Sequence, residues 1–149
     1  MSMNCFFKAF SLDACNAMLK DHALIEQWVW NEDKSLFTTD VGTAWDVLGR
    51  ILSDTGFSYN HRVEKVLSNG CHFISPRMAI EHHRQLRGWS SEKVREALGA
   101  LDPDEDLYHQ HIFTDDEESE NELVSYFGQL SAFYAEAANR KLGVICYFA

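Results

Sequence analysis

The chain has 149 residues, of which 46% are hydrophobic and 13% aromatic, enough for the core of one domain spanning 1–149. Its formal charge is −10, with 23 acidic residues against 13 Lys and Arg. That balance argues against nucleic-acid and anionic-lipid partners. The longest apolar run, Leu142 to Ala149, falls far short of the roughly 18 residues a membrane span requires.

Met3 to Phe10 alternates Cys5, Phe7 and Ala9 with Phe6, Lys8 and Phe10, which predicts a strand near the middle of a sheet. Lys8 interrupts the apolar stretch and no small-residue cleavage site follows, unlike a secretory signal. Ser11 is a predicted N-cap for a helix carrying Leu12, Cys15 and Leu19, with Asp13 in its first turn. Leu24, Ile25, Trp28 and Val29 predict a second short helix, broken over 31–35. Trp28 and Trp30 lie nearly opposite each other on a helix, so one is expected outside.

From Asp40, read as an N-cap, Ala44, Trp45, Leu48, Ile51 and Leu52 mark a helix with Trp45 in the core and Asp46 paired to Arg50. It stops at 53–56. Val63 to Leu67 reads as a further helical segment ending at Asn69 and Gly70, and Cys71 to Ile74 as a short strand. Ser75 followed by Pro76 opens a helix through Met78, Ile80 and Leu86. Gly88 closes it, and Ser90 caps the next, with a Trp89–Val94 staple and a buried stripe of Val94, Ala97, Leu98 and Leu101.

After Pro103, residues 104–110 have room for one or two helical turns. The last helix is the plainest element: Leu123, Phe127, Leu130, Tyr134 and Ala137 recur at +4 and +3, with Ser119 as N-cap, Arg140 and Lys141 in the last turn and Gly143 as the stop. Val144 to Phe148 is β-branched and aromatic, and its natural partner is the N-terminal strand. The fold class is therefore α+β: a small sheet pairing the terminal strands, packed by several helices including a long C-terminal one.

Several of these segments resemble the YfbM-like family of bacterial proteins, known chiefly as a domain of unknown function. The resemblance rests on the aromatic N-terminal strand and helix and on Val41-Gly42-Thr43-Ala44-Trp45-Asp46-Val47-Leu48. It rests also on Trp89-Ser90-Ser91-Glu92-Lys93-Val94 with Ala97-Leu98, and on Tyr126-Phe127, Leu130, Phe133-Tyr134 and Ala137-Ala138 before the terminal strand. It departs at Ile112-Phe113-Thr114, where family members often have an Ile-Tyr-Pro-like step, and at Ser2, where they tend to have Gly. The resemblance implies an architecture and carries over no catalytic residue.

Chemistry-bearing patterns are sparse. Cys5, Cys15, Cys71 and Cys146 form no C-x-x-C pair and read as reduced core thiols of a cytoplasmic protein. Glu81-His82-His83 lacks the i, i+4 histidines of a zincin, and adjacent imidazoles diverge by about 100° on a helix. His109 and His111 could join Asp104, Asp106, Asp115 or Asp116 only if the segment were extended. Asp102, Asp104 and Asp106 imitate half an EF-hand loop, but Leu107 replaces its Gly and Phe113 its bidentate Glu. Cys71 and His72 would face opposite ways in a strand. No catalytic residue, metal site or cofactor is assigned, and the chain is not read as an enzyme.

What stands out is the segment Asp102–Glu122: ten carboxylates and no Lys or Arg, with the remaining 13 acids matched by the chain's 13 cations. The whole surplus sits there. Acidic runs are commonly solvated loops and helix starts. The functional expectation is an immunity or inhibitor protein that grips a basic toxin or enzyme through Asp104, Asp106, Asp115, Asp116, Glu117, Glu118, Glu120 and Glu122. The alternatives are a housekeeping binder of a small ligand or metal, or a hydrolase.

Overall fold

The computed structural model describes residues 2–31, 34–59 and 61–149. Its centre is a five-stranded antiparallel sheet of order β2-β1-β5-β4-β3. The strands are β1 (Cys5–Phe10), β2 (Phe37–Gly42), β3 (Arg62–Glu64), β4 (Cys71–Ile74) and β5 (Gly143–Phe148). The two terminal strands pair directly, Phe7 opposite Cys146 and Ala9 opposite Val144, as expected. β5 lies between β1 and β4 with helices over both faces, which explains an unbroken apolar run rather than an alternating one.

One face, with Cys5, Phe7, Ala9, Val144 and Cys146, packs under α3 (Trp45–Leu52), α4 (Pro76–Leu86), α5 (Ser91–Gly99) and α7 (Glu117–Asn139). The other, with Phe10, Cys71, Phe73, Ile145 and Tyr147, is covered by α1 (Leu12–Lys20), α2 (Ala23–Glu26) and a π-helical turn, Gln27–Asn31. A single turn, α6 (Gln110–Phe113), completes the helices among the described residues.

Local signals account for most boundaries. Ser11, Ser75 and Ser90 accept from the amides of Ala14, Met78 and Lys93, as N-caps do, with Pro76 at the first position of α4. The π turn places Trp28 inside and Trp30 outside, 48% exposed with its ring edge on Tyr147.

Other expectations are corrected. β2 was not anticipated, and Asp40 lies within it rather than capping α3. A bulge sets Cys5 opposite Gly42 and Phe6 opposite Asp40, and the Asp40 carboxylate accepts from the Gly42 amide at 2.9 Å, bracing it. Val63 begins no helix but sits in β3, because pairing with His72 of β4 outweighs a local helical spacing. Over 104–110 the only helical residue is Gln110, the first of α6. Asp116, three residues before Ser119, is the N-cap of α7.

The stop of α7 is Lys141, at φ 56°, whose amide bonds to the Ala138 carbonyl while the Leu142 amide bonds to that of Ala137. Gly143 instead begins β5, where a Cβ would meet the Cys15 Sγ at 2.6 Å. Trp45 is half-buried, at the edge of the core.

Candidate functional site

The acidic segment is stitched down rather than loose. Buried Gln110 donates through Nε2 to the Asp102 carbonyl at 2.8 Å and accepts the Leu107 amide at Oε1 at 3.0 Å. The Tyr108 amide donates to Asp46 Oδ2 at 2.9 Å, and its ring stacks on Trp45 with centroids 5.3 Å apart. Arg50, expected to pair with Asp46, forms its ion pair with Glu105 instead. α3 thus holds the segment by a hydrogen bond, a ring stack and an ion pair.

These contacts sort the carboxylates. Asp102 accepts from the Asp104 amide at 2.9 Å and closes a turn. Glu105 is engaged by Arg50. Asp116 caps α7 through the Ser119 amide at 2.8 Å, and the bonds to Ser119 hold its carboxyl below the usual range. The Glu122 carboxylate receives the Tyr126 hydroxyl at 3.3 Å.

Among the described residues, Asp104, Asp106, Asp115, Glu117, Glu118 and Glu120 have no side-chain partner, and all but half-buried Glu120 are exposed. At about 100° per residue, Glu117 and Glu118 point away from the buried stripe of α7, whereas Glu120 and Glu122 flank it on either side. The acids at the head of α7 therefore encircle its first turn, where the macrodipole also favours them. They do not form one flat face.

Beside this segment lies a cleft of about 470 Å³, lined by Trp45, Asp46, Gly49, Ser53, Gly56, Phe57, Ser58, Tyr59 and Phe148. Gly49 lets the Tyr59 ring lie against α3, since a Cβ there would sit 3.1 Å from Cε2. Gly56, at φ 89°, turns the chain after the 3₁₀ turn Ser53–Thr55. The Tyr59 hydroxyl is buried without a partner among the described residues, and burial raises its ionisation well above the ordinary phenol range, with Cys5, Cys146, Tyr134 and Asp46 adding to the effect.

Behind the cleft, fully buried His82 meets His61 Nε2 to Nε2 at 2.8 Å and Gln85 Oε1 through Nδ1 at 3.0 Å. Burial holds its imidazole down, at about 4, and lowers those of His61 and His72 as well. Glu81 points outward to Arg84, so the Glu81-His82-His83 run divides between core and surface. His109, at φ 56°, stacks on Tyr108, while His111 is exposed. No group of three or more metal-binding side chains occurs among the described residues. Cys71 and His72 lie on opposite faces of β4, Cys71 among the α1–α2 contacts and His72 against Phe148.

Sequence reasoning marked the acidic segment but missed the cleft and the His61–His82 pair. Residues far apart in the chain meet there, His61 with His82 across 21 positions and Trp45 of α3 with Phe148 of β5, and no local pattern announces such contacts. The one legible hint was Phe57-Ser58-Tyr59, aromatic at i and i+2 immediately after a helix stop.

This three-layer arrangement defines a fold class that comparison with known proteins identifies. The family described as a domain of unknown function (DUF1877) matches residues 1–147, and the chain belongs to that YfbM-like family. The crystal structure of YfbM from Escherichia coli, a protein of unknown function, superposes with a TM-score of 0.67 at 14% identity, over 98% of this chain and 99% of that one. No curated protein matches the chain. No helix among the described residues is long and apolar enough to cross a membrane.

Proposed function

We propose that this chain is an acidic binding protein of the bacterial cytoplasm, an immunity or inhibitor protein that neutralises a basic toxin or enzyme by direct contact. The observation that carries the reading is the confinement of the whole −10 to Asp102–Glu122, where Asp104, Asp106, Asp115, Glu117 and Glu118 stand exposed without basic partners among the described residues. Carboxylates held on a braced loop and helix head suit a cleft that evolved for phosphates, and they accelerate encounter with a cationic surface. Glu120 and Glu122 extend the surface along α7, and Asp116 contributes charge while capping it.

The partner to assay is a basic protein encoded beside this chain's gene. Affinity is expected to fall as salt rises, because exposed charges are screened over about 8 Å at physiological ionic strength. It is also expected to weaken when Asp115, Asp116, Glu117 and Glu118 are all replaced by Ser. Ser at 116 keeps an N-cap oxygen, so the loss reads charge rather than helix unfolding. Identical affinity and salt dependence in that variant would remove electrostatic docking from consideration.

A further inference from the structure

We infer that the cleft between α3, the loop 53–59 and the end of β5 is a binding site for an organic cation, an ammonium or guanidinium group. Among the described residues nine line it: four, Trp45, Phe57, Tyr59 and Phe148, are aromatic, none is Lys, Arg or His, and Asp46 is the only carboxylate. One of its oxygens is fixed by the Tyr108 amide, and no basic side chain compensates it among the described residues.

An uncompensated carboxylate at an aromatic wall is matched by a positive guest. The rings attract a cation through their quadrupoles, and the carboxylate supplies the counter-charge. A neutral apolar guest would use the rings but leave Asp46 unanswered, and an anion would be repelled by it. The walls are set in place before any guest arrives. Trp45 is held by the Tyr108 stack, by Phe148 edge-on at 5.1 Å and by an indole bond to the Met3 carbonyl at 3.0 Å, while Phe57 and Tyr59 stand edge to face at 5.2 Å. Polar Ser53 and Ser58 complete the lining, and a volume of about 470 Å³ accommodates the head and stem of a small amine or of a basic side chain. The site does not depend on the docking role proposed for the acidic segment, because none of the exposed acids lines it.

The test is an NMR titration of the ¹⁵N-labelled full chain with tetramethylammonium chloride and with methylguanidinium chloride. The controls are tert-butanol, a neutral isostere of the first, and sodium chloride at equal ionic strength. Saturable shifts are expected at the Trp45 indole and the Gly49 and Gly56 amides with at least one cation and with neither control.

Asp46→Asn, which keeps an oxygen for the Tyr108 amide, is expected to weaken binding by about tenfold. Ser53→Phe, which fills the cleft from its lining, is expected to abolish it. N-acetyl-arginine amide and free agmatine then separate the two sources: stronger binding of the first marks a partner's side chain, of the second a free amine. An equal response to tert-butanol, unchanged affinity in Asp46→Asn, or shifts confined to 115–122 would overturn the assignment. Ser substitution at 115–118 should leave cation binding intact, so this reading and the docking reading fail separately.

Discussion

Acid should destabilise this protein through His82. The ring has no exposed surface and lies between Phe57, Tyr134 and His61, with centroids 4.7, 5.0 and 4.8 Å away, so a charge there is withdrawn from water; the Gln85 oxygen and the Glu81 carboxylate favour it, His61 opposes it, and burial outweighs them. Burial holds it neutral down to about 4, against an ordinary 6.5 in the unfolded chain. Between those values the unfolded state binds the proton and the folded state does not. Stability is therefore complete above about pH 6.5 and is lost progressively as pH falls towards 4, and the gap corresponds to about 3 kcal/mol.

His61 and His72, also lowered, act in the same direction, as do the lowered carboxyls of Glu81 and Asp116. Relief of repulsion within the acidic segment acts oppositely as its carboxylates protonate. Urea unfolding at pH 7, 6, 5 and 4, followed by tryptophan fluorescence for the native chain and His82→Gln, cancels those shared contributions. The native chain should lose about 3 kcal/mol more than the variant over that range. Parallel profiles would show that the His82 imidazole charges freely in the fold despite its burial.

Two further outcomes test the packing. Gly143→Ala places a methyl 2.6 Å from Cys15 Sγ and 3.4 Å from the Ile74 carbonyl oxygen, and thermal unfolding should show a loss of about 1 to 3 kcal/mol, partly restored by adding Cys15→Ala. A loss that Cys15→Ala leaves untouched would place the cost in the backbone. Tyr134→Phe removes a buried hydroxyl with no partner among the described residues and should be neutral or stabilising by up to about 1 kcal/mol in the same assay, whereas a clear destabilisation would mean that the hydroxyl is hydrogen-bonded in solution.

The elements legible in the sequence are those whose causes are local. Ser75-Pro76 and Ser90 announce their helices because a cap acts over three residues, and β5 announces itself because a central strand is apolar throughout. β2 escaped notice as an edge strand that needs only one apolar face: Phe37 and Val41 meet the core while Thr38 and Asp40 face away, and Asp before an apolar-periodic run imitates a helix cap. Asp116 and Ser119 are both good capping residues, and the choice is settled by which side chain receives an amide: Asp116 Oδ1 accepts that of Ser119 itself. The acidic segment was visible as composition. Which of its carboxylates are free was not, because Arg50–Glu105 and Asp46–Tyr108 join positions 55 and 62 residues apart.

Those two long-range contacts also determine what the charge can do. A loose acidic tail would lose conformational freedom on meeting a partner, whereas a segment already fixed by Gln110, Tyr108 and Arg50 brings its charges to the encounter with most of that entropy spent. Exposed carboxylates around one helical turn contribute more to the rate of encounter and to selectivity than to the lifetime of a complex. Long residence needs desolvated aromatic or apolar contact. The Trp45 cleft is the aromatic surface that α3 places beside the acids, and Tyr108 bridges the two by bonding to Asp46 through its amide and stacking on Trp45 through its ring. A basic side chain drawn in by the segment would therefore find its anchoring contacts one residue stack away.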